Sequence, residues 1–229
     1  RLSMVADRSG LELQRLDVEI FGYDEQGWIR SYRLYFTSFA VGDSFWIHPE
    51  WESPSNRRRI NLLIHPGHAF GTGTHESTRL CLLFLESLAE GAESILDFGT
   101  GSGILAIAAR RLNPRARITA FDIDPQAVDF ALEMADMNRV SEIDFFAGSA
   151  SSLHTSYDLV LANLTAAIHR RESADLKRLA GRHLVLSGIT GDQVEYTLEA
   201  FTGPEFRLLE LREENGWSAL HLERNPDAG

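Results

Sequence analysis

The chain of 229 residues has a single cysteine, Cys81. One thiol excludes an internal disulfide framework and any cysteine-based zinc cluster, and it suits a reducing compartment, so a cytoplasmic protein is expected. Cys81 falls on the apolar face of an expected helix with no basic side chain beside it, which reads as core packing rather than a nucleophile. Positive charge is also scarce: 22 Lys and Arg against 33 Asp and Glu leave a formal net charge of −11. Counterion release from a polyanion then has little to work with, so nucleic acid is not an expected partner, whereas a basic protein is. The one basic run, Arg57-Arg58-Arg59, reads as a solvated turn. No window approaches the roughly 20 apolar residues of a membrane span. No charged segment followed by an apolar stretch opens the chain, although it begins with Arg1 rather than Met, which allows for residues upstream.

What is present is ordinary globular material, 44% apolar and 24% charged. It suits one α/β domain of about 170 to 200 residues with a small appendage. The first sixty residues are aromatic-rich pieces broken by Gly and Pro, with short strands expected at 16–21 and 44–47 and an ambiguous stretch at 26–36. A Pro- and Arg-containing loop follows, and the boundary is set there: an N-terminal segment and linker at 1–58, and the main domain at 59–229.

From residue 76 helical and strand patterns alternate. An amphipathic helix is expected at 77–90 behind a possible Ser77 cap, then a strand at 94–98, a Gly-rich turn and a helix at 104–112. A strand at 117–123 leads to a helix opened by Pro125, with Asp124 as its cap. Strands at 143–147 and 157–161, a helix at 166–180, a strand at 183–187 and a helix at 192–201 follow. The last two strands, 206–213 and 216–223, are too close in sequence for a parallel crossover and must form an antiparallel hairpin. The pattern is a Rossmann-like, doubly wound, mostly parallel seven-stranded sheet ending in that hairpin, which places ligands at the carboxyl ends of the strands, beside the first one.

Four elements converge on that switch point. Asp97-Phe98-Gly99-Thr100-Gly101-Ser102-Gly103 joins a strand to a helix, where glycines permit positive φ and a ligand can approach the backbone. The spacing is Gly-x-Gly-x-Gly, not the nicotinamide fingerprint Gly-x-Gly-x-x-Gly, which favours a cofactor with an amino-acid end such as S-adenosylmethionine. Asp122 ends the next strand, where an acidic side chain accepts hydrogen bonds from ribose hydroxyls; as a bland alternative it caps the following helix. The Gly- and Thr-rich loop from Ala69 to Thr78 reads as a lid, with Phe70 as apolar cover. His65, His68 and His75 lack carboxylate or thiolate partners at ligand spacing, so no metal is expected. Asn163 follows the 157–161 strand, where its amide oxygen would orient an acceptor amine; alternatively it is a turn residue capping the next helix.

With these elements in order, the chain resembles the PrmA family of class I methyltransferases, which modify amino groups of ribosomal protein L11. The match runs from about Trp28 to Arg224. It is carried by Gly42-Asp43-Ser44-Phe45-Trp46-Ile47 with Pro49 and Trp51, Pro66-Gly67-His68-Ala69-Phe70-Gly71-Thr72-Gly73-Thr74-His75, residues 97–109, Asp122-Ile123-Asp124-Pro125-Gln126-Ala127, Ala162-Asn163, Leu186-Ser187-Gly188 and Gly216-Trp217. The loop ending in His75 is the most specific of these. The resemblance implies cofactor contacts at Thr78, Gly99, Asp122 and Asn163, to which the residue-level reading adds Gly101 and Phe70. It implies an S-adenosylmethionine-dependent protein lysine N-methyltransferase, in which the residue-level reading puts Asn163 at the acceptor amine. The family's amino-terminal domain, which grips the ribosomal protein, is represented here by about 27 residues before Trp28, and His65 stands where Asp is usual. Rival readings are a methyltransferase for another protein lysine or a small amine, a nicotinamide oxidoreductase, and a cofactor-binding scaffold without activity.

Overall fold

The strand at 94–98, apolar at Ile95, Leu96 and Phe98, sits inside a seven-stranded sheet. A computed structural model describes residues 37–52, 58–65 and 75–226, all within the unit Phe36–Gly229. The expected strand at 16–21 and the stretch at 26–36 lie outside the described residues. The described elements are β1 (Phe39–Val41), β2 (Phe45–Pro49), β3 (Ile60–Ile64), α1 (Glu76–Leu88), β4 (Ser94–Phe98), α2 (Ile104–Leu112), β5 (Arg117–Asp122), α3 (Pro125–Met137), β6 (Ile143–Ala147) and β7 (Tyr157–Asn163). They continue with α4 (Ala166–Arg171), α5 (Ser173–Leu179), β8 (Ala180–Thr190), α6 (Val194–Leu198), β9 (Phe206–Glu214) and β10 (Trp217–Arg224).

The large sheet has the order β6-β5-β4-β7-β8-β10-β9. Its first five strands are parallel, and β10 pairs antiparallel with both β8 and β9. Every residue of β4 is buried, as expected of a strand covered on both faces. Leu159, Val160 and Leu161 on neighbouring β7 are fully buried too, each adding on the order of 1.5–3 kcal/mol of apolar burial. Chain order reverses between β4 and β7, so the carboxyl ends of these two strands frame the crevice expected of a doubly wound sheet. The closing hairpin turns on Asn215 and Gly216, with φ of +48° and +82°; positive φ at both central residues is the type I′ geometry that suits strand twist. The strands therefore extend to Glu214 and from Trp217, one residue beyond the expected turn.

Several boundaries differ from the sequence expectation for identifiable reasons. α1 is capped by His75, whose Nδ1 accepts from the Ser77 amide at 3.2 Å, while Ser77 itself is a buried helical residue. The helix expected at 166–180 is two helices broken at Glu172, whose backbone leaves helical geometry. Ala180 already belongs to β8. That strand starts early because Gly181 fits tightly against Tyr157: a Cβ there would lie 3.1 Å from the Tyr157 carbonyl oxygen. Only Val194–Leu198 of the 192–201 stretch is α-helical, behind a 3₁₀ turn at Gly191–Gln193. Asp124 caps α3 as expected, accepting from the Gln126 amide at 2.9 Å with Pro125 in the first turn.

β1, β2 and β3 form a separate three-stranded sheet, with β1–β2 antiparallel and β2–β3 parallel. It takes strands from both sides of position 58, and only β2 was foreseen. Within the basic run, Arg57 lies outside the described residues, and Arg59 is not simply solvated. Arg59 donates to the carbonyls of Gly42 and Phe45 and so holds the β1–β2 turn. Asn138, capping the end of α3, bonds both the amide and the carbonyl of Leu63 at 2.8 Å, which ties β3 to that helix. No described helix is long and apolar enough to cross a membrane.

Candidate functional site

The turn from β4 into α2 is built from three left-handed glycines, Gly99, Gly101 and Gly103, with φ of +74°, +53° and +78°. Gly99 shows why glycine is required: a Cβ would lie 2.7 Å from a Leu164 methyl, and a side chain would be strained at that φ whatever the space. The amides of Gly99 and Thr100 both donate to the Phe121 carbonyl, at 3.0 and 2.9 Å, so the turn is fastened to the end of β5. Beneath it Asp97 is 1% exposed, and its Oδ2 accepts from the Thr100 hydroxyl at 2.6 Å and the Ala106 amide at 3.2 Å. Burial raises its carboxyl to about 6, a rise opposed by those two hydrogen bonds and reinforced by the Asp122 carboxylate.

Asp122 stands at the carboxyl end of β5 with both oxygens partly engaged. Oδ2 accepts from the Gly101 amide at 3.0 Å and Oδ1 from the Asp124 amide at 3.1 Å. A carboxylate oxygen has two acceptor sites, so each retains capacity for a further donor. Ile123 follows with 77% of its surface exposed, an unusual position for an isoleucine. The two residues flank a cleft of about 200 Å³ lined also by Gly99, Ser149, Leu164 and Glu172. A polar clamp beside an apolar plate, at the mouth of a glycine turn, fits a ribose carrying a flat heterocycle.

Asn163 ends β7 and does not cap α4, whose N-cap is Thr165. Its Nδ2 donates to the Thr78 hydroxyl at 3.1 Å, and Thr78 is 1% exposed. That bond fixes the amide orientation and leaves Asn163 Oδ1 buried without a hydrogen-bond partner among the described residues. A lone buried acceptor beside a cleft is a vacancy for a donor. The next residue, Leu164, lines the cleft and is held by its amide to the Ser187 carbonyl at 2.9 Å. The same carbonyl accepts from His169 Nε2 at 2.8 Å. His169 is fully buried, and burial lowers its pKa to about 4, so it is a neutral imidazole with its proton on Nε2. Gly188, at φ +83°, lets β8 pass close to this turn; a Cβ there would lie 2.6 Å from the Leu164 carbonyl oxygen and 2.9 Å from Asn163 Oδ1.

Thus Gly99 and Asp122 line the cleft, Gly101 orients Asp122, and Thr78 and Asn163 are bonded to each other beside it. Phe70 and most of the expected lid, residues 69–74, lie outside the described residues, as does His68. Sequence reasoning passed over Ile123, Leu164, Ser149, Glu172 and Gly188. The sequence places Ile123 at the end of the strand, whereas β5 ends at Asp122 and leaves Ile123 exposed. Among the described residues no group of three or more His, Cys, Asp and Glu could hold a metal. His65 pairs with Glu50 at 3.2 Å. Cys81 is fully buried, and burial pushes its thiol well above the ordinary range.

The comparisons with known proteins agree with this geometry. The family model described as ribosomal protein L11 methyltransferase (PrmA) matches residues 2–225. The ribosomal protein L11 methyltransferase of Cupriavidus metallidurans is 37% identical over 202 residues, covering 87% of this chain and 65% of that protein. That of Thiobacillus denitrificans is 38% identical over 211 residues, covering 90% and 69%. This chain therefore spans about two thirds of the length of such relatives. The crystal structure of ribosomal protein L11 methylase from Lactobacillus delbrueckii subsp. bulgaricus superposes with a TM-score of 0.76 at 28% identity, covering 83% of this chain and all of that one. Sheet order, switch-point cleft and family match agree: the chain belongs to the ribosomal protein L11 methyltransferase (PrmA) family.

Proposed function

We propose that this protein transfers methyl groups from S-adenosylmethionine to amino groups of ribosomal protein L11, on lysine side chains or the amino terminus. Family membership and the switch-point cleft support the cofactor. The observation that carries the amine acceptor is Asn163 Oδ1, a buried oxygen with no donor among the described residues, fixed in orientation by Thr78.

The cofactor supplies an activated methyl group on a sulfonium. The chain's own part is to hold it and to present the acceptor. Asp122 is the ribose clamp, Gly99 leaves the backbone open to close approach, and Ile123 is the apolar plate. Phe70 is proposed as cover over the methionine end. Methyl transfer to nitrogen is an in-line displacement by a neutral amine, so positioning and desolvation matter more than a fixed strong base. Asn163 Oδ1 accepts an N–H of the amine and directs its lone pair, while Thr78 keeps the amide from flipping. We assign the reaction to residues 59–229, with 1–58 as N-terminal segment and linker, and the cytoplasm as its place, with no nucleic-acid contact of its own.

Incubation of unmethylated ribosomal protein with isotopically labelled cofactor, followed by mass spectrometry, tests the proposal. Label on L11 amines is expected. Asn163→Ala should lower turnover by about 10²-fold or more, on the scale of losing one preorganised polar contact, with little change in cofactor affinity. Label on another protein would reassign the substrate, and no transfer by a protein that still binds cofactor would leave a scaffold.

A further inference from the structure

A larger cavity, about 460 Å³, lies along a different face of α1 from the one carrying Thr78. Arg79, Leu80 and Leu83 form one wall, and the helical period carries that wall's face on to Glu76 at one end and Glu86 at the other. The β1–β2 turn and the end of β9 form the others. Its apolar lining residues are Ala40, Val41, Leu80 and Leu83, of which Val41 and Leu80 are almost wholly buried. From Glu76 to Glu86 that helical face runs about 15 Å at the helical rise, the span of four or five residues of extended chain.

The charges around the groove are unequal. Both arginines are engaged: Arg79 grips Glu214 with Nε at 3.1 and 3.2 Å from its two oxygens, and Arg212 bonds Glu210 at 2.7 Å while lying over the Phe84 ring. Two carboxylates have no cation among the described residues. Glu213, at the rim, takes only the Ser218 hydroxyl at 3.2 Å, and Glu86, at the far end, takes the amides of Asp43 and Ser44. The Glu214 end of the groove adjoins the closing hairpin. Arg79 directly follows Thr78, and Glu214 is opposite Trp217 in the hairpin. Trp217 packs edge-on against His75 at 4.3 Å and pairs with Thr190 at the carboxyl end of β8.

We infer that this groove seats an extended, cationic segment of the protein substrate, its apolar side chains against Leu83 and Ala40 and its basic ones against Glu213 at the rim and Glu86 beyond its far end. This rests on the amine-methyltransferase reading above and adds where the protein chain lies. It separates substrate docking from cofactor binding on two faces of one helix.

Fluorescence anisotropy with a short peptide of alternating lysine and valine tests the groove without any chemistry. The peptide should bind the full chain and weaken with added salt, as exposed charge pairs are screened. Glu213→Lys should weaken it by about tenfold, whereas Glu142→Lys, before β6, should not, and a glutamate–valine peptide should not bind. In methylation assays Glu213→Lys, and separately Leu83→Gln, should raise KM for ribosomal protein L11 by about tenfold with kcat and cofactor affinity unchanged. A photoreactive benzoylphenylalanine in place of Leu83 should capture substrate. Salt-independent peptide binding, equal effects of the two charge reversals, an unchanged KM, or crosslinking to residues 1–36 of the chain itself would overturn the inference. If the wild type methylates no amine, the functional reading fails, and the peptide arm still decides the groove.

Discussion

Asp122→Asn keeps the shape of the ribose clamp and removes its charge, and the structure makes the change harsher than its isosterism suggests. Two amides address the carboxylate from different sides, Gly101 on Oδ2 at 3.0 Å and Asp124 on Oδ1 at 3.1 Å. A carboxamide has one acceptor oxygen, so in either flip its NH₂ group faces one of those N–H donors. Leaving a buried donor unsatisfied costs about 1–3 kcal/mol; Asp122 is half-buried, water can serve part of that need, and the low end applies. Hydrogen bonds to a charged acceptor contribute about 1.5–3 kcal/mol, so cofactor affinity should fall by about 10- to 150-fold. Asp122→Ala loses the same bonds but forces no donor against a donor, so the asparagine variant should bind no better than the alanine one. Titration calorimetry with S-adenosylhomocysteine, alongside thermal melting of both variants, provides the numbers. Affinity of Asp122→Asn within about a factor of two of wild type, a difference under half a kcal/mol, would refute the clamp.

Other consequences follow from the buried groups of the site. Asp97 binds its proton more tightly in the fold, with a pKa of about 6 against 3.8 for the free group; its ionisation costs about 3 kcal/mol of stability above pH 6, a cost relieved as pH falls toward 4. Both its donors converge on Oδ2, which one amide oxygen can replace, so Asp97→Asn should gain stability in urea unfolding at neutral pH and lose that gain toward pH 4. His169 has the opposite sign: its pKa falls from 6.5 to about 4, so about 3 kcal/mol present above pH 6.5 is lost as pH falls to 4, and His169→Gln should flatten the acid limb of the unfolding curve. Gly99→Ala should cost about 1–2 kcal/mol for its left-handed backbone and weaken cofactor binding, whereas Gly91→Ala, with nothing within 4 Å of the new methyl, should leave binding unchanged. Cys81 should react with Ellman's reagent only as fast as the protein unfolds; rapid labelling of the native state would contradict its burial.

The parts of the site that could be read from the sequence are those whose geometry is decided within a few residues. A glycine turn between strand and helix, a proline in the first helical turn behind Asp124, and a two-residue hairpin each fix the backbone locally, and together they specify the sheet and its switch point. Asp122 follows, because a residue at the end of the strand after a glycine turn can only face the crevice. What escaped is set by contacts between distant segments. Ser187 and His169 meet across 18 positions, Asn163 and Thr78 across 85, and Ser187 and Ser77 across 110. In sequence Asn163 reads as an amine ligand or, alternatively, as a helix cap. The structure gives the cap to Thr165, and the Thr78 hydroxyl takes the Asn163 NH₂ group, leaving its oxygen unpaired among the described residues. The same distance hid β1 and β3, which hold together through Arg59 and Asn138 and have no strong alternation of their own. Local rules therefore locate the glycine turn and Asp122, the proposed cofactor end of the crevice, whereas the proposed acceptor end around Asn163 takes shape only once α1 is laid across β7 and β8. A variant that loosens α1, such as Ser187→Ala, which removes the hydroxyl bonds to the Ser77 and Ser218 carbonyls at 3.0 and 3.2 Å, should for that reason impair amine transfer more than cofactor binding.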